Sequence, residues 1–411
     1  MHFFKRLFTC LGSVSVGCAA VSVEAQESYL VEALGANPEV AAAYESYVAA
    51  SQRGTQVRAL DEPVVSYSEF LSSVETRTGP QERIFSVSQN LPWPGVLKIR
   101  RNVANAEARA AWHRYEIKRR EVIENVGLAF IEYAYLKNAT NRAGENLELL
   151  RQLEPVVQQK VRGGGSLATS LRLDVELAVA EQEVETLREQ RPGLDARLQS
   201  ALGREPGEVL PWPSISSHVP PLMPLDRAKQ EILTHHPRIA LAETRIDGAR
   251  ESGRLAETSK RPTFSLGANA IDIGDGGETA GAVTLGVKLP IRREKYRAQI
   301  AEAEAMSREA DASLASARQQ LLADAVRLHA SQQEAAQRLR NYDDKLIPAA
   351  RQAVDLTQED FRTDKTSLND LIEAERILLD LRLMRTRALA DAHKAAWKIR
   401  ALTEPGLESS K

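Results

Sequence analysis

Cysteine is nearly absent from this chain: of 411 residues only Cys10 and Cys18 are cysteines, both inside an apolar run near the start. Disulfides and thiol catalysis are therefore excluded beyond that run. Methionine and tryptophan number four each and aromatics make up 5%, so there is no Met-rich copper tract and little of the aromatic content of a compact enzyme core. A formal net charge of −2 gives no electrostatic case for nucleic acid. The seven histidines lack ligand spacing, and His235-His236, followed at once by Pro237, reads as a helix boundary and not as a metal site. Gly163 to Gly165 follow a helical run and not a strand, which excludes a phosphate loop. No nucleophile–base set is recognisable, and no cofactor is implied.

What the chain does contain is arranged twice. Pro38 answers to Pro237, Pro63 to Pro262 and Pro92 to Pro290, each about two hundred residues apart. The neighbouring text agrees: Asn37-Pro38-Glu39-Val40-Ala41 faces His236-Pro237-Arg238-Ile239-Ala240, and Val161-Arg162 with Ser166-Leu167 faces Phe361-Arg362 with Ser367-Leu368. Proline fixes φ and lacks an N–H, so three prolines in register place three element boundaries in register. The chain divides into a first unit over 26–205, a proline-rich linker over 206–224, a second unit over 225–404 and a tail over 405–411.

Ahead of the first unit, Lys5 and Arg6 precede an apolar run from Leu7 to about Val23, and Val23-Glu24-Ala25 offers a small-residue cleavage site. Residues 1–25 therefore read as a secretory signal peptide. Val16-Gly17-Cys18 is a weak lipobox, which keeps open lipidation of Cys18.

Each unit opens with helices, over 28–35 and 38–53 in the first, and passes into a hairpin, over 63–92 and 262–290. In the first hairpin Val64 to Phe70 and Arg83 to Leu91 read as strands across a Ser/Thr/Gly/Pro loop. The second alternates more cleanly: Phe264 and Leu266, then Val283, Leu285 and Val287, interleave with Ser265, Gly267, Thr284 and Gly286, giving one apolar and one polar face. Long helices follow over 95–162 and 292–362, each about 100 Å at 1.5 Å per residue, with return helices over 167–202 and 368–403. Pro155 and Pro348 are expected to bend the long helices. Helices of that length need other long helices to pack against. Four strands are too few to close a barrel, a difficulty that association of three chains into twelve strands would remove.

Over the mature chain these features resemble the TolC-type outer-membrane efflux channels: two tandem halves, a hairpin in each, and long helices leading to a helix-turn-helix tip. Gln89-Asn90-Leu91-Pro92-Trp93-Pro94-Gly95 is similar to the strand-to-helix crossing of the heavy-metal, CusC/CzcC-like branch, and the Phe361-Arg362 to Ala374 segment resembles the family's tip signature. The resemblance implies a mainly α fold with a small β part: a homotrimer with a twelve-stranded barrel in the outer membrane of a Gram-negative bacterium, four strands per chain, and a long α-helical barrel crossing the periplasm. It implies a passive duct, without enzymatic activity, whose tip docks a membrane-fusion adaptor joined to an inner-membrane pump of the RND type. Outer-membrane lipid would face Phe264, Leu266, Val283, Leu285 and Val287. The adaptor would contact Gly163, Gly164, Gly165, Ser166 and Leu167 at one tip and Lys365, Thr366, Ser367 and Leu368 at the other.

Acidic residues after the second tip form a selectivity ring in this family, and Asp370 and Glu373 occupy those positions. Spacing of i and i+3 sets both on one helix face. The first half has Thr169 and Arg172 at the equivalent places, and Asp364 departs from the glycine common at the tip. Arg172 or Arg362 pairing with Asp370 or Glu373 would hold the resting mouth shut. Metal cations are the cargo that the Trp93-Pro94-Gly95 crossing implies; drugs or polypeptides remain open. On the residues alone a soluble periplasmic coiled-coil scaffold also stays open, in which the hairpins pack on the helices.

Overall fold

The computed structural model describes residues 27–404, apart from 78, 275, 276 and 364. The signal peptide over 1–25, Cys18, the tip residue Asp364 and the tail over 405–411 lie outside the described residues. In chain order the elements are α1 (27–36), α2 (Pro38–Gln56), β1 (Val64–Thr76), β2 (Gly79–Leu91), α3 (Val96–Arg162), α4 (Leu167–Glu189), α5 (Arg191–Leu202), α6 (Leu225–His235), α7 (Pro237–Thr258), β3 (Thr263–Ile273), β4 (Ala280–Lys288), α8 (Arg293–Asn341), α9 (Ile347–Arg362) and α10 (Leu368–Thr403). Among the described residues no helix is long and apolar enough to cross a membrane.

Three expectations need correction. The return helix expected over 167–202 is broken at Gln190, because Pro192 lacks the N–H that would continue α4 and instead sits in the first turn of α5. The second long helix is interrupted by a π-helical turn, Tyr342–Leu346, directly ahead of Pro348. A proline ring collides with the carbonyl four residues earlier, and the widened turn relieves that clash. Pro155, by contrast, lies inside an unbroken α3. The loop of the first hairpin is also shorter than the residue types suggested, since β1 runs on to Thr76 and β2 starts at Gly79.

The chain forms two compact units, and each draws on both halves of the sequence. The first comprises the stretch up to Ala41, Lys118–His236 and the chain from Gln320 onward. Its core has Val126, Phe130, Tyr133 and Leu136 of α3 buried together with Leu198 and Leu202 of α5, Ile232 of α6 and Ala388 and Ala392 of α10. Gly127 lets the Trp397 indole lie against the α3 backbone, where the ring N–H donates to the Ile123 carbonyl at 3.1 Å. The proline-rich linker is stitched down along its length. Asp195 accepts from the Leu210 N–H at 2.9 Å, Gln199 accepts from the Gly207 N–H at 2.8 Å, Gln332 donates to the Pro220 carbonyl at 3.0 Å, and His393 bonds the Ser216 carbonyl at 2.9 Å. Carboxylate Glu132 takes Arg387 at 2.9 Å and also Lys394.

The second unit comprises Ala42–Ile117 and Pro237–Gln319 and holds the whole sheet. Below the sheet the helices carry alanine at their contacts, with Ala104, Ala106, Ala110 and Ala111 of α3 and Ala242 of α7 buried. Small residues let long helices approach closely over many turns. Tyr47 and Tyr115 flank Trp112, ring centroids 5.1 and 5.2 Å away, an aromatic cluster on α2 and α3.

Candidate functional site

Two regions carry the residues singled out from the sequence: the four-stranded sheet and the helix-turn-helix tips.

All four strands join one antiparallel sheet in the order β1-β2-β3-β4, so the two hairpins pair through β2 and β3. Its register sets Val65, Val87, Ala268 and Val283 in one row and Tyr67, Phe85, Ala270 and Gly281 in the next. Phe264 lies opposite Val287 and Leu266 opposite Leu285, on the same face. Because side chains alternate with period two, the other face collects Ser66, Ser68, Ser86, Ser88, Ser265, Asn269 and Thr284. The apolar face is bare: Val283 and Leu285 are 77% and 79% exposed. At one end of it Arg83 pairs with Asp272 at 3.7 Å, next to Glu69, which accepts from the Tyr67 hydroxyl at 3.2 Å. At the other end Trp93 stacks on Phe264, ring centroids 6.0 Å apart. From Phe264 to Ala270 the apolar stretch is about 20 Å long at 3.3 Å per residue. Tyr67, Phe85, Val65 and Val87 extend this face, and the weaker alternation of the first hairpin had not singled them out. Among the described residues β1 and β4 leave their outer edges unpaired.

At the strand-to-helix crossing β2 ends at Leu91 and Gly95 adopts φ 91°, a left-handed conformation that suits glycine, before α3 starts at Val96.

At the first tip α3 ends at Arg162, Gly164 takes φ 103°, and the Gly165 N–H returns to the Lys160 carbonyl at 2.9 Å. Ser166 then caps α4, accepting from the Ala168 N–H at 3.2 Å. Leu167 is 65% exposed and heads a ridge of exposed Leu171, Val175 and Val179 at spacing four. At the second tip Lys365 N–H bonds the Asp360 carbonyl at 2.8 Å, and Ser367 caps α10. The two tips share a core in which Leu153, Val157 and Leu173 meet Phe361, Leu371 and Ile372. The Lys160 ammonium lies 4.0 Å from the Phe361 ring centroid.

Leu368 is buried in that core at 4% exposure, so within the chain it offers no surface to a partner; Leu167 does. Asp370 is the acidic member of a capping box: it accepts from Thr366 Oγ1 at 2.8 Å, Ser367 Oγ at 2.6 Å and the Ser367 N–H at 3.1 Å. Those hydrogen bonds, the Ser367 hydroxyl first, hold its pKa below the ordinary carboxylate value. Glu373 is exposed with Arg376 at 3.8 Å, and Arg362 lies 4.0 Å from Glu359. The pairing of Arg172 or Arg362 with Asp370 or Glu373 is not made within one chain. Ser367-Leu368-Asn369-Asp370 is a capping-box pattern legible in the sequence, a role for Asp370 distinct from the aperture. Among the described residues no cluster of three or more His, Cys, Asp or Glu could hold a metal ion.

Residues 228–403 match the family model described as outer membrane efflux protein. Over 328 residues the chain is 24% identical to the pyoverdine export outer membrane protein OpmQ of Pseudomonas putida, covering 75% of this chain and 67% of that one. The solved outer membrane protein VceC of Vibrio cholerae is similar with a TM-score of 0.77 at 19% identity, covering 92% of this chain and 96% of that one. CusC, solved in a study of folding and transmembrane channel formation, gives a TM-score of 0.79 at 15% identity, covering 93% and 92%. The fold is thus that of solved outer-membrane channels, mainly helical with a small sheet part, and the location of the protein is the outer membrane. The similarity reaches the efflux family and does not single out a heavy-metal branch.

Proposed function

We propose that this chain is one protomer of a homotrimeric duct through which an inner-membrane pump empties its cargo past the outer membrane. The amphipathic sheet carries the reading. A sheet with one bare apolar face, one face of small polar residues and two unpaired edges is unstable alone in water. Joining β4 of one copy to β1 of the next, three times over, would pair every edge, turn the apolar rows to lipid and line a lumen with serine, asparagine and threonine. The exposed ridge from Leu167 to Val179 on α4 supports helix-to-helix packing between copies. The bare sheet face is also the strongest feature against the scaffold reading, which needs the hairpins packed on the helices.

The exposed tips, Gly163 to Leu167 and Lys365 to Ser367, would receive a periplasmic adaptor. Glu373, with its carboxylate free of a capping role, is the better candidate for an acidic ring at the mouth; Asp370 would sit beside it as the residue that fixes the start of α10. Metal cations are the cargo suggested by the Trp93-Pro94-Gly95 crossing. An organic cargo is the second reading, favoured by the likeness to a relative named for pyoverdine export.

Electron microscopy of the detergent-solubilised mature protein tests the assembly. A threefold hollow particle with a barrel at one end is expected; monomers without a barrel would refute the duct.

A further inference from the structure

At the foot of the sheet, where β2, β3 and β4 meet α3, α7 and α8, the second unit contains a cavity of about 660 Å³. Four cations line it, Arg100, Arg261, Lys288 and Lys295, against the single carboxylate Glu302. None of these five forms an ion pair with any described residue, in a chain otherwise rich in i to i+3 pairs. The remaining wall is largely apolar and includes Trp93 and Leu289, which continue the bare sheet face; the Arg261 guanidinium lies 5.6 Å from the Trp93 ring centroid. Gln299, also in the lining, has its amide oxygen buried without a hydrogen-bond donor among the described residues.

We propose that this cavity holds the headgroup of an anionic phospholipid that carries hydroxyl donors, of the phosphatidylglycerol type. The phosphate would neutralise part of the cationic lining. A glycerol hydroxyl would donate to Gln299 Oε1, which otherwise bears the cost of burial without a partner. The acyl chains would leave past Trp93 and Leu289 onto Phe264 and the apolar rows, a continuity that a small soluble anion would not use. Surface cations draw anionic lipid at the membrane boundary, and the aromatic pair Trp93–Phe264 stands where an interfacial belt is found.

The inference rests on the outer-membrane reading, and its test separates the two. Full-length mature protein is reconstituted into nanodiscs of equimolar phosphatidylglycerol and phosphatidylcholine, released, and its retained lipids are counted by native mass spectrometry. Retention of phosphatidylglycerol is expected to exceed that of phosphatidylcholine and to fall about fivefold for each cation lost in Arg261→Gln and Lys295→Gln, the effect of one cation near a charged surface. Arg292→Gln, outside the lining, should leave it unchanged. Equal retention of the two lipids, or preference unaltered in the double variant, would overturn the inference. So would displacement of the lipid by millimolar inorganic phosphate, which would make this a soluble-anion site in the duct. Failure of the protein to enter the bilayer at all would overturn the outer-membrane reading with it.

Discussion

Leu266 and Leu285 stand directly opposite each other on β3 and β4, on the same unpacked face of the sheet. Thr284, one residue along, points to the other face, where it accepts from Asn269 Nδ2 at 3.2 Å. A charge on the two faces should therefore have unequal effects. Leu285→Arg is expected to destabilise the assembled barrel by about 2–4 kcal/mol, the cost of a cation near the bilayer midplane, and Thr284→Arg by much less. Heat-modifiable gel mobility of membrane fractions reads the difference. Equal effects would mean that the apolar rows do not face lipid.

Gly127 has no room for a side chain: a Cβ there would lie 2.0 Å from the Trp397 indole. Gly127→Ala is expected to lower stability by about 1–3 kcal/mol through overpacking. A smaller residue at 397 should restore part of the loss, as thermal unfolding of Gly127→Ala and of Gly127→Ala with Trp397→Leu would show.

The cap at Asp370 changes how the mouth should be probed. Asp370→Ala removes a charge and also loosens the start of α10, so a leak in that variant has two causes. Glu373→Gln removes charge alone and is expected to reduce cation preference in planar bilayers without altering hydrogen exchange at 368–371. Asp370→Ala should speed exchange there. Since the folded-state pKa of Asp370 is lowered, its contribution is complete above the ordinary carboxylate value and is lost as pH falls through the folded one. Exchange in the first turn of α10 should rise over that acid range and lose this dependence in Ser367→Ala with Asp370→Ala.

His393 ties the linker to α10, and burial pushes its pKa below the ordinary imidazole value. It lines a cavity together with Ser216, Arg400 and Glu404. The stabilisation is therefore complete above the ordinary imidazole pKa and is lost as pH falls from there through the folded value. Cleavage within 206–224 by limited proteolysis should increase at mildly acidic pH, and His393→Gln, which keeps a donor without the titration, should suppress that increase.

Much of this architecture was legible because its signals are periodic. Alternation from Phe264 to Ala270 and from Val283 to Leu289 identified β3 and β4, and uninterrupted helical composition identified α3. The misjudged strand ends have a physical cause. Gly79-Pro80 belongs to residue types that favour turns, yet the Thr76–Gly79 and Glu75–Pro80 pairings draw it into the ladder. The cavity at the foot of the sheet had no signal at all, since Arg100, Arg261, Lys288 and Lys295 are scattered over two halves of the chain and only the sheet topology gathers them. Leu167 and Leu368 are alike in sequence position, yet only Leu167 is exposed; burial depends on what lies across the turn, for Leu368 Phe361 and Leu371.

The π-helical turn at Tyr342–Leu346 amounts to one residue more than an α-helix would use there. Each residue advances a helix by about 100°, so the turn resets the angular phase of everything after it. Val354 and Phe361, the buried residues of α9, lie downstream of that reset. The length of the second helical arm is thus matched to Pro348: removing one residue between 342 and 346 would swing α9 by about a quarter turn and aim its apolar stripe away from α10.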